Sequence, residues 1–342
     1  MARSSLRITM ETVARDARVS RATVSRVLSG ETPVDAKTRE RVLASCRKLG
    51  YVRNEAATQL ARRSSALIGL LLRDARNPMY ATLNESLLQS TSERGLFITT
   101  MSTGQMSQKR REEIQLSRLV SLRPAGLFVA SGLIAAQDIL HYAHQVPTIV
   151  LPRHEPRLDL NVVGYDEAQH GIMLAQTVIA AGHKRVAVAV TPKFVSPAEH
   201  IRTTTMVKVL SEAGIAVTRI RGAKLFYDHD AMFERVQDGI SANRFTAIMF
   251  ANDIRALEFM VRAQGTGYRI PGDIAVTGCD GLGLAVAVSG LTTVRVPVEK
   301  VCERAVAHMD RLIKSSRNTA ASVTSPIREL YAGQIVNGRT LE

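Results

Sequence analysis

The sequence predicts an α/β protein in which a small all-α head precedes a large body of alternating strands and helices. Three observations carry that reading. From Ala66 onward, short apolar runs alternate with amphipathic stretches, the pattern of parallel sheets covered by helices on both faces. Ahead of Ala66, apolar residues recur at helical spacing in three short segments. The charge is uneven as well: the chain carries +14, and residues 1–63 hold fourteen basic and six acidic side chains, +8 of that total in less than a fifth of the length. A basic head of this kind is attracted to polyanions, although a solvated helical surface would look the same by charge alone.

Each head element has its own signal. Met10, Val13, Ala14 and Ala17 form the apolar stripe of a first helix over 10–17. Ser20 is an N-cap for a second helix over 23–28, with Val24, Val27 and Leu28 on one face and Arg21, Ala22, Ser25 and Arg26 on others. Asp35 caps a third helix over 36–49, which Gly50 ends. Two short helices joined by about three residues make a helix-turn-helix, whose second helix enters the DNA major groove.

The body expectation is strands over 66–72, 96–101, 126–130, 147–151, 185–190, 220–226, 247–250 and 274–277. Helices are expected near 79–94, 108–122, 135–145, 167–181, 197–213, 229–242, 253–264 and 297–315. A body of this length exceeds one ordinary core, so two parallel-sheet sub-domains with a cleft between them are expected. Ligands of such sheets bind beyond the carboxyl ends of the strands.

The run T-M-E-T-V-A-R-D-A-R-V-S-R-A-T-V-S-R-V-L-S-G, then V-D-A-K-T-R-E-R-V, then L-G-Y-V-R-N-E-A-A-T-Q-L-A resembles the head of the lactose/galactose repressor family without a gap from Thr9 to Ala61. The resemblance implies that Arg21, Ala22 and Arg26 face base edges. Arginine pairs bidentately with guanine, whereas Ala22 offers only a methyl contact. It also implies phosphate contacts from Thr9, Ser20, Ser25, Thr38, Tyr51 and Asn54, which fix register without reading sequence. Residues 54–64 resemble the family's hinge helix, which folds on the operator and wedges a leucine, here Leu60, into the minor groove. The chain departs from the family at Arg18, where Gly is usual; a positive φ there would cost an arginine conformational energy, unless a phosphate contact compensates.

Looser similarity continues through I-G-L-L-L-R-D-A-R-N-P-M-Y, A-A-G-H-K-R-V-A, A-N-D-I-R-A-L, I-P-G-D-I-A-V-T-G-C-D and L-T-T-V-R-V-P. It implies a periplasmic-binding-protein-like body, so that the expected domains are residues 1–53 for DNA, 54–64 for the hinge and 65–342 for effector binding and dimerisation. Effector contacts carried over by resemblance are Asn77, Tyr80, Arg153, Arg202, Asn252, Asp253 and Asp280, a set suited to vicinal hydroxyls. Each also has a plainer reading: Asn77-Pro78 as a turn, Asn252 and Asp280 as helix caps, Arg202 as a surface arginine. Pro152 stands where many relatives carry Asp, ahead of Arg153. A lost acid beside two arginines shifts the expectation toward a sugar acid or phosphorylated sugar.

The expected protein is thus a homodimeric repressor, not an enzyme, that binds a pseudo-palindromic double-stranded operator and a sugar-like effector in the cytoplasm, without cofactor or metal. The polar start, the lack of an apolar span and three unpaired cysteines favour a cytoplasmic compartment. The absence of a leucine-rich tail favours a dimer over a tetramer. Against enzyme chemistry, no phosphate-loop, dinucleotide, zinc-protease or nucleophile-elbow pattern occurs. His141 and His144 have metal-compatible spacing but no third ligand nearby, and Cys279 has no adjacent His. Two alternatives stay open: a non-specific architectural DNA-bending protein, and a sugar-metabolising enzyme with a fused head.

Overall fold

The computed structural model describes residues 8–30, 33–52, 66–104, 109–221, 229–316 and 325–341. The chain forms two compact units, Met1–Ser65 and Ala66–Glu342. The expected hinge, with Asn54 and Leu60, lies outside the described residues.

In the first unit, helices α1 (Met10–Asp16), α2 (Arg21–Ser29) and α3 (Ala36–Leu49) enclose one small core of Val13, Ala14, Ala17, Val24, Val27, Val42 and Cys46. Their starts are set by side chains: Thr9, Ser20 and Asp35 accept the backbone N–H groups of Thr12, Thr23 and Thr38. α1 ends in a Schellman motif, with Arg18 N–H on the Arg15 carbonyl and Val19 N–H on that of Ala14. Arg18 therefore takes φ 51°, the left-handed conformation that glycine adopts without penalty.

The second unit holds two parallel sheets and a ribbon. The first sheet runs β2 (Phe97–Ser102), β1 (Leu67–Leu72), β3 (Gly126–Ala130), β4 (Thr148–Val150), β5 (Asn161–Tyr165), β11 (Arg328–Tyr331), every neighbouring pair parallel. Leu70, Leu72, Phe128 and Ile149 fill the core on one face, while Leu71, Leu127, Val129 and Val150 fill another on the opposite face. Burial on both faces explains why these strands read as continuous apolar runs rather than alternating ones. The second sheet runs β7 (Ala216–Ile220), β6 (Arg185–Ala189), β8 (Ala247–Met249), β9 (Ala275–Thr277), again parallel. β10 (Thr293–Arg295) and β12 (Gln334–Val336) form an antiparallel ribbon.

Helices α4 (Pro78–Ser92), α5 (Lys109–Ser121), α6 (Ala136–Ala143), α7 (Glu167–Ala180), α8 (Pro197–Glu212), α9 (His229–Ser241), α10 (Asp253–Gly265), α11 (Leu284–Ser289) and α12 (Val298–Ser316) connect or flank them. The strand expected over 220–226 is displaced: pairing with β6 occupies Ala216–Ile220, and 222–228 lie outside the described residues. β5 is not among the expected strands; its Gly164 packs so closely on β4 that a Cβ there would stand 2.6 Å from the Pro152 carbonyl oxygen. The ribbon strands and α11 are too short to leave a period in the sequence.

Candidate functional site

Helix α2 divides its residues cleanly. Val24 and Val27 are buried, and Arg21, Ala22, Ser25 and Arg26 are all exposed, so two arginines and two small residues share a solvent face. Such a face admits close approach and bidentate pairing to base edges. Thr9 and Ser20 are exposed at the starts of α1 and α2, while Thr38 and Tyr51 are half-buried. Thr9 and Ser20 accept backbone N–H groups as caps, and a hydroxyl acting in this way still has its own hydrogen to donate outward.

The second unit contains a cavity of about 650 Å³ at the carboxyl ends of strands from both parallel sheets. β1 leads to Arg73, Asp74, Asn77 and Tyr80; β3 to Ser131; β4 to Pro152 and Arg153; β5 to Tyr165 and Glu167. From the other sheet, β6 leads to Ser196, Glu199 and Arg202, β8 to Asn252, and β9 to Asp280. Asn77 and Asn252 do cap helices, their Oδ1 atoms accepting from Met79 and Arg255 N–H. They also line the cavity, and each amide retains an NH₂ group to donate.

Arg202 is buried, not a surface arginine. Its Nε and Nη2 donate to Glu167 Oε2 at 2.8 and 2.6 Å, and its Nη1 to the Ala251 carbonyl, with Asp280 Oδ1 at 3.7 Å. This pairing needs α7 and α8 to lie close: a Cβ on Gly171 would stand 2.5 Å from the Arg202 carbonyl oxygen, so only glycine fits. Glu167 also faces His170 Nδ1 at 3.4 Å, whose Nε2 accepts the Gly333 N–H at 2.9 Å. Burial opposes the charge on Glu167, but Arg202 and His170 outweigh it and hold the carboxyl below its usual range. Arg153 likewise has its own acid, Glu155, at 2.9 Å, and its two Nη atoms donate to the Ile134 carbonyl at 3.1 Å.

Asp280 is held at φ 130°, with its N–H on the Val294 carbonyl. Burial pushes its carboxyl well above the usual range, with Arg202 pulling the other way. Tyr80 is pushed up to about 12 by burial. Six of the seven expected effector residues therefore line this one cavity; Asp253 does not. The Asp253 carboxylate instead accepts Gly281 N–H at 2.6 Å and Thr293 O–H at 2.7 Å, fixing the turn that carries Asp280.

Residues 9–54 match the model for bacterial regulatory proteins of the lacI family, and residues 175–334 match that for the periplasmic binding protein-like domain. The HTH-type transcriptional regulator reg1 of Streptomyces lividans is 30% identical over 307 residues, 86% of this chain and 87% of that protein. The chain belongs to the lacI family of bacterial regulatory proteins. It is a DNA-binding transcriptional regulator. The lac repressor dimer bound to operator and the anti-inducer ONPF shares its fold, with a TM-score of 0.79 and 23% identity over 98% of this chain and 99% of that one. A CelR–cellobiose complex does so with a TM-score of 0.67 and 24% identity over 98% of this chain and all of the other.

For this lacI-family regulator, the sequence reading missed Arg73, Ser131, Tyr165, Glu167, Ser196 and Glu199 on the cavity wall. A usable signal existed for Arg73, Ser131, Ser196 and Glu199, which follow the carboxyl ends of strands that were expected, but not for Tyr165 and Glu167, whose strand β5 was not. The pairing of Arg202 with Glu167 had none, because it joins two helices 35 residues apart.

Proposed function

We propose that the chain is a homodimeric, cytoplasmic repressor whose operator affinity is set by a neutral polyhydroxylated effector in the 650 Å³ cavity. The observation that carries the effector class is the charge on the wall. Four arginines (Arg73, Arg153, Arg202, Arg255) meet five carboxyls (Asp74, Glu167, Glu199, Glu258, Asp280), and Arg153 and Arg202 have close acids of their own. This balance speaks for a neutral ligand rather than a sugar acid or phosphate: no arginine excess greets an anion, whereas amides, hydroxyls and carboxylates suit vicinal hydroxyls. The relative solved with cellobiose is in keeping with this class.

Asn77, Tyr80, Arg153, Arg202, Asn252 and Asp280 are the proposed contacts, with Asp253 acting through the Asp280 turn. Arg202, Glu167, His170 and Gly333 form a polar chain from the cavity to the segment between β11 and β12. An effector that draws on Arg202 or Asp280 thus competes with the contacts that order this segment, which gives the ligand a differential affinity for two arrangements of the body. α2 reads bases through Arg21, Ala22 and Arg26, with Thr9, Ser20, Ser25, Thr38 and Tyr51 on phosphates, and the expected Asn54 and Leu60 contacts belong to the same proposal. For the dimer, α10 and α11 pack together and present Val261, Leu284 and Val288, 71%, 80% and 68% exposed, an apolar surface that a second copy would cover.

No catalytic role is proposed; the Cys279 thiol is buried and pushed well above its ordinary range, so it is no nucleophile. The test is operator selection followed by fluorescence anisotropy, with neutral sugars, sugar acids and sugar phosphates added in turn. The reading requires that a neutral sugar change operator affinity more than its acid or phosphate does. Preference for the anion would overturn the effector class.

A further inference from the structure

Two residues that line the cavity carry buried polar atoms that the protein itself leaves without partners. The Tyr165 hydroxyl and Arg153 Nε are both buried, both belong to lining residues, and neither has a hydrogen-bond partner. They differ from the rest of the wall in this respect: Asn77 and Asn252 cap helices, Arg202 is held by Glu167 and Ala251, and the other two nitrogens of Arg153 are bonded. Tyr165 is only 2% exposed. It ends β5, and its N–H is fixed on the Pro152 carbonyl at 2.7 Å. Its ring lies 6.0 Å from that of His170, which Gly333 in turn holds.

A buried hydroxyl with no partner costs stability, and phenylalanine would fill the same space without that cost. Such a group on a residue that lines the cavity is explained if its partner is the ligand. The tyrosine environment supports donation: burial, reinforced by Asp280, Glu167 and Tyr80, raises its pKa well above the ordinary value and keeps the O–H intact at neutral pH.

We propose that Tyr165 is a specificity-determining residue, its hydroxyl donating a hydrogen bond to one oxygen of the bound effector. This rests on the reading of the cavity as a site for a polyhydroxylated ligand. A site built to bond a particular oxygen discriminates against analogues lacking it, because the protein group is then left unpaired. Arg153 Nε is a second donor of the same kind, so the ligand presents acceptors toward the β4–β5 side of the cavity.

The test compares full-length wild type, Tyr165→Phe and Tyr331→Phe by calorimetric titration and thermal denaturation. Tyr331 is the control, since its hydroxyl donates to Glu329 at 2.7 Å and it does not line the cavity. The probes are cellobiose, maltose and ribose, and the monodeoxy analogues of whichever binds. Tyr165→Phe should weaken the parent sugar about tenfold or more. It should bind one monodeoxy analogue as tightly as wild type does. Its unliganded melting temperature should hold or rise by roughly 2–4 °C, whereas that of Tyr331→Phe should fall. Equal sugar affinity in wild type and Tyr165→Phe, or a melting temperature lowered as in Tyr331→Phe, would overturn the proposal while leaving the effector reading standing. A wild type that binds none of the sugars overturns the effector reading, and this proposal with it.

Discussion

Arg18→Gly is expected to stabilise the head, an unusual direction for a single substitution. The structure contains its own comparison. At the end of α3, Gly50 takes φ 63° with its N–H on the Arg47 carbonyl and Tyr51 N–H on that of Cys46. At the end of α1, Arg18 takes φ 51° with the same two bonds. The motifs match, so what separates them is the side chain. A left-handed L-residue costs about 1–2 kcal/mol, and glycine gives back about 0.5–1 kcal/mol through the flexibility of the unfolded chain. The balance favours Arg18→Gly by about 0.5–1 kcal/mol. Native-state hydrogen exchange on the full chain reads this directly: amides of Val13, Val24 and Val42 should exchange about two- to fivefold more slowly, because 1.4 kcal/mol is a factor of ten. Operator affinity supplies a separate readout. If the arginine is kept for a phosphate contact, the variant also loses about 0.9 from the salt slope of binding, equally for all sequences. Unchanged or faster exchange would refute the strain argument whatever the DNA data show.

Arg26→Ala should flatten sequence preference, with about 1–3 kcal/mol of discrimination lost at one base pair in competition binding. An unchanged preference would remove α2 from the major groove. Glu167→Ala should destabilise the second unit by about 3–5 kcal/mol in denaturant unfolding, because Arg202 is left buried without its carboxylate. Asp159→Ala, which breaks the exposed pair with Arg157, should leave the unfolding midpoint close to that of wild type, because solvent screens such a pair. Asp280 has a folded pKa raised above its unfolded value, so its contribution is greatest below the usual carboxylate range and is lost as pH rises through the folded pKa. Asp280→Asn should therefore gain stability over wild type progressively as pH rises from the usual carboxylate range toward the raised folded pKa, and a gain independent of pH would contradict the burial argument.

Most of the fold was legible because its signals are local. Thr9, Ser20, Asp35 and Gly50 mark helix ends by chemistry that acts within four residues. Strands β1, β3, β6, β8 and β9 read as apolar runs because both of their faces are covered. Signals failed where tertiary contact replaces local pattern. β5 is held by Pro152 and the β11 strand rather than by its own N-V-V-G-Y composition. The ribbon of β10 and β12 joins segments about forty residues apart.

The site divides along the same line, and the division bears on how specificity is built. Resemblance to the family marked Asn77, Arg153, Asn252 and Asp280, but not what each would be paired with. The inference from a missing acid at Pro152 treated arginine charge as available to a ligand. Glu155, two residues beyond Arg153, and Glu167, on another helix, cancel that availability. A carboxylate 35 residues away acts on Arg202 because α7 and α8 approach over Gly171. On the proposed reading, ligand class follows from the polar atoms that the protein leaves available. The amide NH₂ groups of Asn77 and Asn252 and the buried Tyr165 Oη and Arg153 Nε are a property of the folded network and of no single motif.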